Sequence, residues 1–300
     1  MAQPWTLEAS RLREIVGRVR AGRDLTPERW PDGARVAVGL SFDVDDETWW
    51  LAEGSESPAA FSQGEYGARV GLRRVLALLE RRAVPASFFV PAIDTLIHEG
   101  SVEAITRGGL HEVGLHGWIH ESNASLDEAT ERKLLRGAAD TLERLAGRRP
   151  VGTRTPSWDY SPHTLPLARE LGLLYDSSLM ADDGPYEILA DGRPTGIVEL
   201  PVAWILDDYP YFWMDRTEPV RPTMTPEEVL AVWRAEFDGA YDEGGLFVLT
   251  LHPHVIGHRS RIAMLDRLIM YMQSRPGVWF ATHEQIARYV SPSRAAGASN

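Results

Sequence analysis

The chain contains no cysteine, so it can form no disulfide and offer no thiolate to a metal. Any bound metal must therefore rely on imidazole and carboxylate ligands. No apolar run is long enough to span a bilayer. The opening Met1-Ala2-Gln3-Pro4-Trp5 has neither the basic start nor the apolar core of an export signal. A soluble cytoplasmic protein without a membrane partner is the expectation. Basic residues are outnumbered by acidic ones, 31 to 43, giving a net charge of −12. That balance argues against a nucleic-acid partner or an anionic lipid surface. Internal repeats and low-complexity linkers are also missing. What is present is 300 residues with a 44% apolar fraction, enough for one large domain or two modest ones with a substantial core. Ten tryptophans are many for this length. Several flank polar motifs, which suggests an aromatic-lined pocket as well as ordinary core positions.

Short apolar strands alternate with amphipathic helices along the chain. Residues 1–34 read as a helical and irregular lead-in. Strands are expected at Arg35–Phe42, Ala86–Val90, Glu112–Leu115, Val151–Thr153, Leu173–Tyr175, Ile197–Val202, Leu246–Leu251 and Val278–Ala281. Helices are expected over Tyr66–Arg82, with Leu72, Val75, Leu76 and Leu79 on one stripe, and over Leu126–Leu145, with Ser125 or Asp127 near its start and Gly147 after its end. Further helices are placed near His163–Leu171, from Thr225 to about Tyr241, and around Arg259–Met272. Repeated strand–helix units imply an α/β fold with a parallel sheet or barrel. Residues 35–290 form the expected catalytic domain, and 291–300 a loose tail.

Polar motifs follow the strands. Asp43 and Asp45, in Ser41-Phe42-Asp43-Val44-Asp45-Asp46, are two apart and share a strand face. His116 and His120, in His116-Gly117-Trp118-Ile119-His120, are four apart and would share a face on a helical turn. One carboxylate and two imidazoles suit a divalent transition metal with open positions. The second carboxylate would then act as the base that activates water. Magnesium and calcium prefer all-oxygen shells. His-Glu-x-x-His is absent, because Gly117 and Trp118 occupy those places. Arg154, if buried, needs a carboxylate, and Asp43 is the natural partner. His252 follows the most apolar strand and would protonate a departing nitrogen, with Asp176 as its orienting acid. His254 and His258 compete for that role. Five residues at strand ends, Asp43, His116, Arg154, Asp176 and His252, match the placement of barrel active sites.

In order and in kind, these motifs resemble those of the polysaccharide deacetylase family, metal-dependent amide and ester hydrolases, over about Arg35 to Tyr289. The resemblance implies a deformed (β/α) barrel of about seven strands. It implies Asp43 as base, Asp45, His116 and His120 as metal ligands, Arg154 as holder of the base, His252 as acid and Asp176 as the residue that tunes it. Zinc is the ion first expected, although an Asp-His-His shell also accepts iron, cobalt, nickel or manganese. Val44 separates two aspartates that are adjacent in the family's common motif, and Gly117 replaces a usual Ser or Thr. Together with Gly64-Glu65-Tyr66-Gly67-Ala68-Arg69 and His252-Pro253-His254-Val255-Ile256-Gly257, these departures look like a cytosolic branch. That branch includes cyclic imide hydrolases, allantoinase-like enzymes and a so-called peptidoglycan deacetylase. It implies hydrolysis of a small amide or cyclic imide by a homo-oligomer. N-deacetylation of a sugar or peptidoglycan fragment is the alternative, and an inactive metal- or carbohydrate-binding protein is the reading from another class. Trp49, Trp50, Trp158, Trp204, Tyr209 and Trp213 are expected to close over the substrate. A Trp-, Tyr- and Pro-rich stretch runs from Trp204 to Pro222, and its part Trp204–Trp213 is read as a lid over the substrate or a subunit contact, because five aromatics with two acids and a proline fall within it.

Overall fold

The computed structural model describes residues 3–213 and 224–291. Its strands are β1 (Val19–Asp24), β2 (Val36–Asp43), β3 (Ser87–Val90), β4 (Glu112–Leu115), β5 (Gly152–Thr153), β6 (Tyr175–Asp176), β7 (Tyr186–Ala190), β8 (Arg193–Glu199), β9 (Leu246–Leu251) and β10 (Val278–Phe280). β2 is buried along its whole length, which is why its apolar run is nearly unbroken. Its even-numbered residues Val36, Val38, Leu40 and Phe42 pack outward under the helices. The odd-numbered set, Ala37, Gly39, Ser41 and Asp43, turns to the other face by the two-residue period of a strand. Ala37 there joins Phe89, Tyr175, Val198 and Val248 in a second cluster inside the curl.

The parallel neighbours run β9, β2, β3, β4, β5, β6, β8, a curled half-barrel. β10 pairs with Val36–Val38 and β3 with Ser41–Asp43, so the two share one edge of β2 while β9 runs along Ala37–Phe42. β7 and β1 extend the β8 side in antiparallel order. Among the described residues the seam between β8 and β9 is joined by a single bridge, Asp207 to Thr250, with the Asp208 amide donating to the Thr250 carbonyl at 3.2 Å.

The helices keep the boundaries that their caps dictate. Glu128–Ala146 starts at Asp127, whose side chain accepts from the Thr130 amide, and ends at Gly147 in the left-handed region. Pro226–Glu243 opens on a capping box formed by Thr225 and Glu228. The expected helix at Tyr66–Arg82 begins earlier, at Pro58, and contains a π-helical turn over Gly67–Gly71. Residues 1–34, expected as a helical and irregular lead-in, also supply strand β1, and the β7–β8 hairpin places a strand where none was expected. β1 alternates poorly, with a mostly exposed pattern, so its pairing comes from β7 and not from its own periodicity. Of the stretch Trp204–Pro222, residues 214–222 lie outside the described residues, as do residues 292–300 of the expected tail. No helix among the described residues is long and apolar enough to cross a membrane.

Candidate active site

The C-terminal ends of the parallel strands bring the polar motifs together. Asp43 is the last residue of β2 and Asp45 lies just beyond it. His116 and His120 follow β4, but not on a helix as the spacing suggested. Gly117 and His120 both adopt the left-handed region, with φ of 70° and 67°. The turn between them is pinned by Glu121, whose carboxylate accepts from the amides of Trp118 at 2.9 Å and Ile119 at 2.8 Å. The two imidazoles converge because the chain doubles back, and the backbone strain at His120 is held by this local network.

Around Asp45 the side chains are nearly all buried. His116 Nε2 lies 3.3 Å from Asp45 Oδ1, His120 Nε2 3.6 Å from Asp45 Oδ2, and His252 Nε2 3.6 Å from the same oxygen. His116 Nδ1–H donates to the Arg154 carbonyl at 2.7 Å, so its other nitrogen faces Asp45 as an acceptor. Asp45 Oδ1 is buried without a hydrogen-bond partner. Three ligand atoms, one each from Asp45, His116 and His120, lie within 4.8 Å of one another. Acceptors aimed at one another without a donor between them are what a cation site requires, and the donor set suits a divalent transition metal. Burial works to raise the Asp45 carboxyl, but His120, His116 and His252 outweigh it and hold the group well below the usual carboxylate range. Burial lowers His120.

Arg154 is fully buried beneath Asp43. Its Nη1 donates to Asp43 Oδ1 at 2.8 Å and to Ser41 Oγ at 2.9 Å, and its Nε donates to the Ser177 carbonyl at 2.9 Å. The guanidinium also lies over the Phe89 ring at 4.3 Å. Asp43 is thereby fixed with its other oxygen 4.0 Å from His116 Nε2.

His252 is oriented by Asp208. Its Nδ1–H donates to Asp208 Oδ1 at 2.7 Å, and its amide donates to Asp208 Oδ2 at 3.1 Å. Asp207 Oδ1 stands 3.6 Å from the same nitrogen. Burial opposes the imidazolium, but Asp208 and Asp207 raise His252 well above its ordinary value. Burial pushes Asp207 up to about 7 against the pull of His252. Asp176, expected as the orienting acid, is placed elsewhere. It accepts from the Ser178 amide at 2.9 Å, and Glu199 accepts from the same amide at 2.9 Å. Burial raises Asp176 to about 6. Asp208 is not evident from sequence, because its signal, two acids inside the aromatic run after β8, lies far from His252 along the chain and meets it only across the seam. His254 is also at the site, pushed down to about 3 by burial and edge-on to Trp50 and Trp213. His258 instead stacks on Tyr66 at 4.1 Å.

Above Asp43 and Asp45 lies a cavity of about 130 Å³. Trp49, Trp50, Trp158, Trp204, Tyr209 and Trp213 all line it, together with Ser157, Asp207, His252 and His254. The rings brace one another: Tyr209 stacks on Trp213 at 5.2 Å, and Trp158 meets Trp204 at 4.2 Å.

A half-barrel with a buried Asp-His-His cluster, a clamped carboxylate and a carboxylate-oriented histidine at its strand ends defines a metal-dependent hydrolase. Residues 61–175 match the family described as Polysaccharide deacetylase. The crystal structure of a putative polysaccharide deacetylase from Mycobacterium smegmatis is 39% identical, covers 93% of this chain and 96% of its own, and superposes with a TM-score of 0.84. The Puue allantoinase structure is 27% identical over 90% of this chain and 97% of its own, with a TM-score of 0.76. A peptidoglycan deacetylase from Helicobacter pylori is 28% identical, covering 84% of this chain and 95% of its own. The chain belongs to the polysaccharide deacetylase family.

Proposed function

We propose that this protein hydrolyses a carbon–nitrogen bond in a small amide, of which a cyclic imide or ureide is the best-fitting class. The observation that carries this reading is the size and lining of the cavity. At about 130 Å³, walled by six aromatic rings, it is comparable to the cavity of about 150 Å³ that accommodates a single benzene. A five- or six-membered ring fits that space, whereas a pocket for a larger ligand usually exceeds about 300 Å³. The likeness to an allantoinase supports the same class.

Asp45, His116 and His120 would hold a divalent ion, which supplies polarisation of the substrate carbonyl and a lowered pKa for water. Asp43, fixed by Arg154, takes the proton from the attacking water. His252, kept protonated by Asp208 and Asp207, delivers a proton to the leaving nitrogen. The aromatic wall excludes bulk water and orients the ring. Asp176 has no part in this scheme; with Glu199 it ties β6 and β8 to the segment that carries Ser177 and Ser178.

The names of the peptidoglycan deacetylase relatives favour a second reading, in which only an N-acetyl group enters the cavity while the sugar stays outside. Assays of the zinc-loaded enzyme on cyclic imides, ureides and N-acetylglucosamine oligomers, with products identified, separate the two. Ring opening of an imide or ureide is the expected result. Acetate release from the oligomers without ring opening would overturn the small-ring reading.

A further inference from the structure

The proposed chemistry uses Asp208 and Asp207 as counter-charges for His252, but only Asp208 hydrogen-bonds the ring, which leaves Asp207 with an oxygen that role does not occupy. Asp207 is 3% exposed and lines the same cavity as Asp43 and His252. Its Oδ1 accepts from the Tyr209 amide at 2.9 Å, which fixes the carboxyl on its own turn. Its backbone is fixed as well, by the bridge to Thr250 across the seam. Among the described residues Oδ2 takes no hydrogen bond, yet unlike the Asp45, Asp46 and Asp176 oxygens it is not sealed off from accessible space. Asp207 lines the cavity beside the His252 imidazole, and Oδ2 is the carboxylate oxygen left open to it. Once a substrate displaces water from the cavity, a carboxylate oxygen there carries a desolvation cost unless the substrate donates to it.

We propose that Asp207 is a specificity-determining residue that accepts the N–H of the scissile amide or imide. The contact holds the nitrogen edge of the substrate toward His252 and its carbonyl toward Asp43 and Asp45. It selects substrates whose nitrogen carries a hydrogen over those whose nitrogen is fully substituted, because the latter leave the carboxyl unpaired. This inference rests on the hydrolysis proposed above, but only on the presence of an amide N–H, which imides and N-acetyl sugars share.

The test compares a ring with N–H, such as succinimide or hydantoin, with its N-methyl counterpart on the zinc-loaded wild type and on Asp207→Ala. The wild type should favour the N–H ring. The variant should lose about tenfold to hundredfold in kcat/KM on that ring, mainly through KM, and the N–H preference should collapse because the substitution also makes room for the methyl group. Zinc content and the thermal unfolding midpoint serve as controls for a purely structural effect; the alkaline limb itself should move to lower pH, because Asp207 helps keep His252 protonated. An unchanged N–H to N-methyl ratio in Asp207→Ala overturns the proposal. If rings are not opened and acetate is released from N-acetyl sugars instead, the small-ring reading falls on its own. Asp207 is then tested by inhibition with N-methylacetamide against N,N-dimethylacetamide, where an equal effect of the two on the wild type rules it out.

Discussion

In the proposed mechanism Asp43 and His252 carry opposite proton duties, and each is held by one dominant partner. Arg154 holds Asp43 at 2.8 Å, so Asp43→Asn keeps the shape and loses the base. Turnover should fall by about 10²–10⁴-fold while the metal stays bound, as read by steady-state kinetics beside elemental analysis. Near-normal turnover would mean that Asp43 is not the base. The acid side gives a pH test. Burial alone would discharge His252, and Asp208 and Asp207 reverse that effect. A general acid must be protonated to act, so activity is lost as pH rises through its pKa. Asp208→Asn removes the nearest negative charge and lowers that pKa. The alkaline limb of kcat/KM should therefore move to lower pH in Asp208→Asn. An unmoved limb would assign that titration to another group. The nearness of Asp43 and Asp45 is legible from a strand's two-residue period, whereas His116 and His120 converge through a left-handed turn and not through the helical face that their spacing suggests. The Asp208–His252 pair was not legible, because 44 residues separate its members and only the curl of the sheet joins them.

Between the residues and the whole barrel stands the helix running from Pro58 to Arg82, which packs on the site through glycines. A Cβ at Gly64 would lie 2.4 Å from the Asp46 backbone, one at Gly67 would lie 1.9 Å from Asp46 Oδ1, and one at Gly71 would lie 2.1 Å from the Pro253 carbonyl oxygen. These glycines let one helix touch both the loop after β2, which carries Asp45, and the turn after β9, which carries His252. The sequence reading found the motif around Gly64 and Gly67 but not its cause, since close backbone approach leaves no periodic signal. Gly64→Ala meets backbone that cannot swing away, so overpacking of about 1–3 kcal/mol is expected, together with a displaced Asp45. Chemical denaturation should show the lost stability, and titration with zinc should show weakened binding. Wild-type values for both would mean that the helix has slack here. Elements with a strong helical or fully apolar pattern, such as Leu72–Arg82 and β9, were legible. β1 and β7 were not, because their pairing is imposed by the neighbouring strand, although the end of β8 falls within the expected strand Ile197–Val202.

On the scale of the whole molecule, the site draws on both sides of an incomplete barrel. Asp45 follows β2, His116 and His120 follow β4, Arg154 follows β5 and His252 follows β9, while Asp208 sits on the segment that crosses the β8–β9 seam. The Asp45 carboxylate is buried among the His116, His120 and His252 imidazoles, and a buried carboxylate without a fixed cation carries a desolvation cost. An ion held by Asp45, His116 and His120 would offset that cost and tie the loop after β2 to the turn after β4. A ligand that binds only the folded state stabilises it by about 2.7 kcal/mol at a hundredfold excess over Kd. For a chain of this size that corresponds to a rise in Tm of several degrees. Scanning calorimetry of the chelator-treated protein before and after zinc is restored should show that rise in the wild type. His120→Ala, lacking one of three ligands, should show none while still unfolding cooperatively in chelator. If the variant gained as many degrees as the wild type, the ion would be stabilising the barrel from somewhere other than the Asp45–His116–His120 cluster.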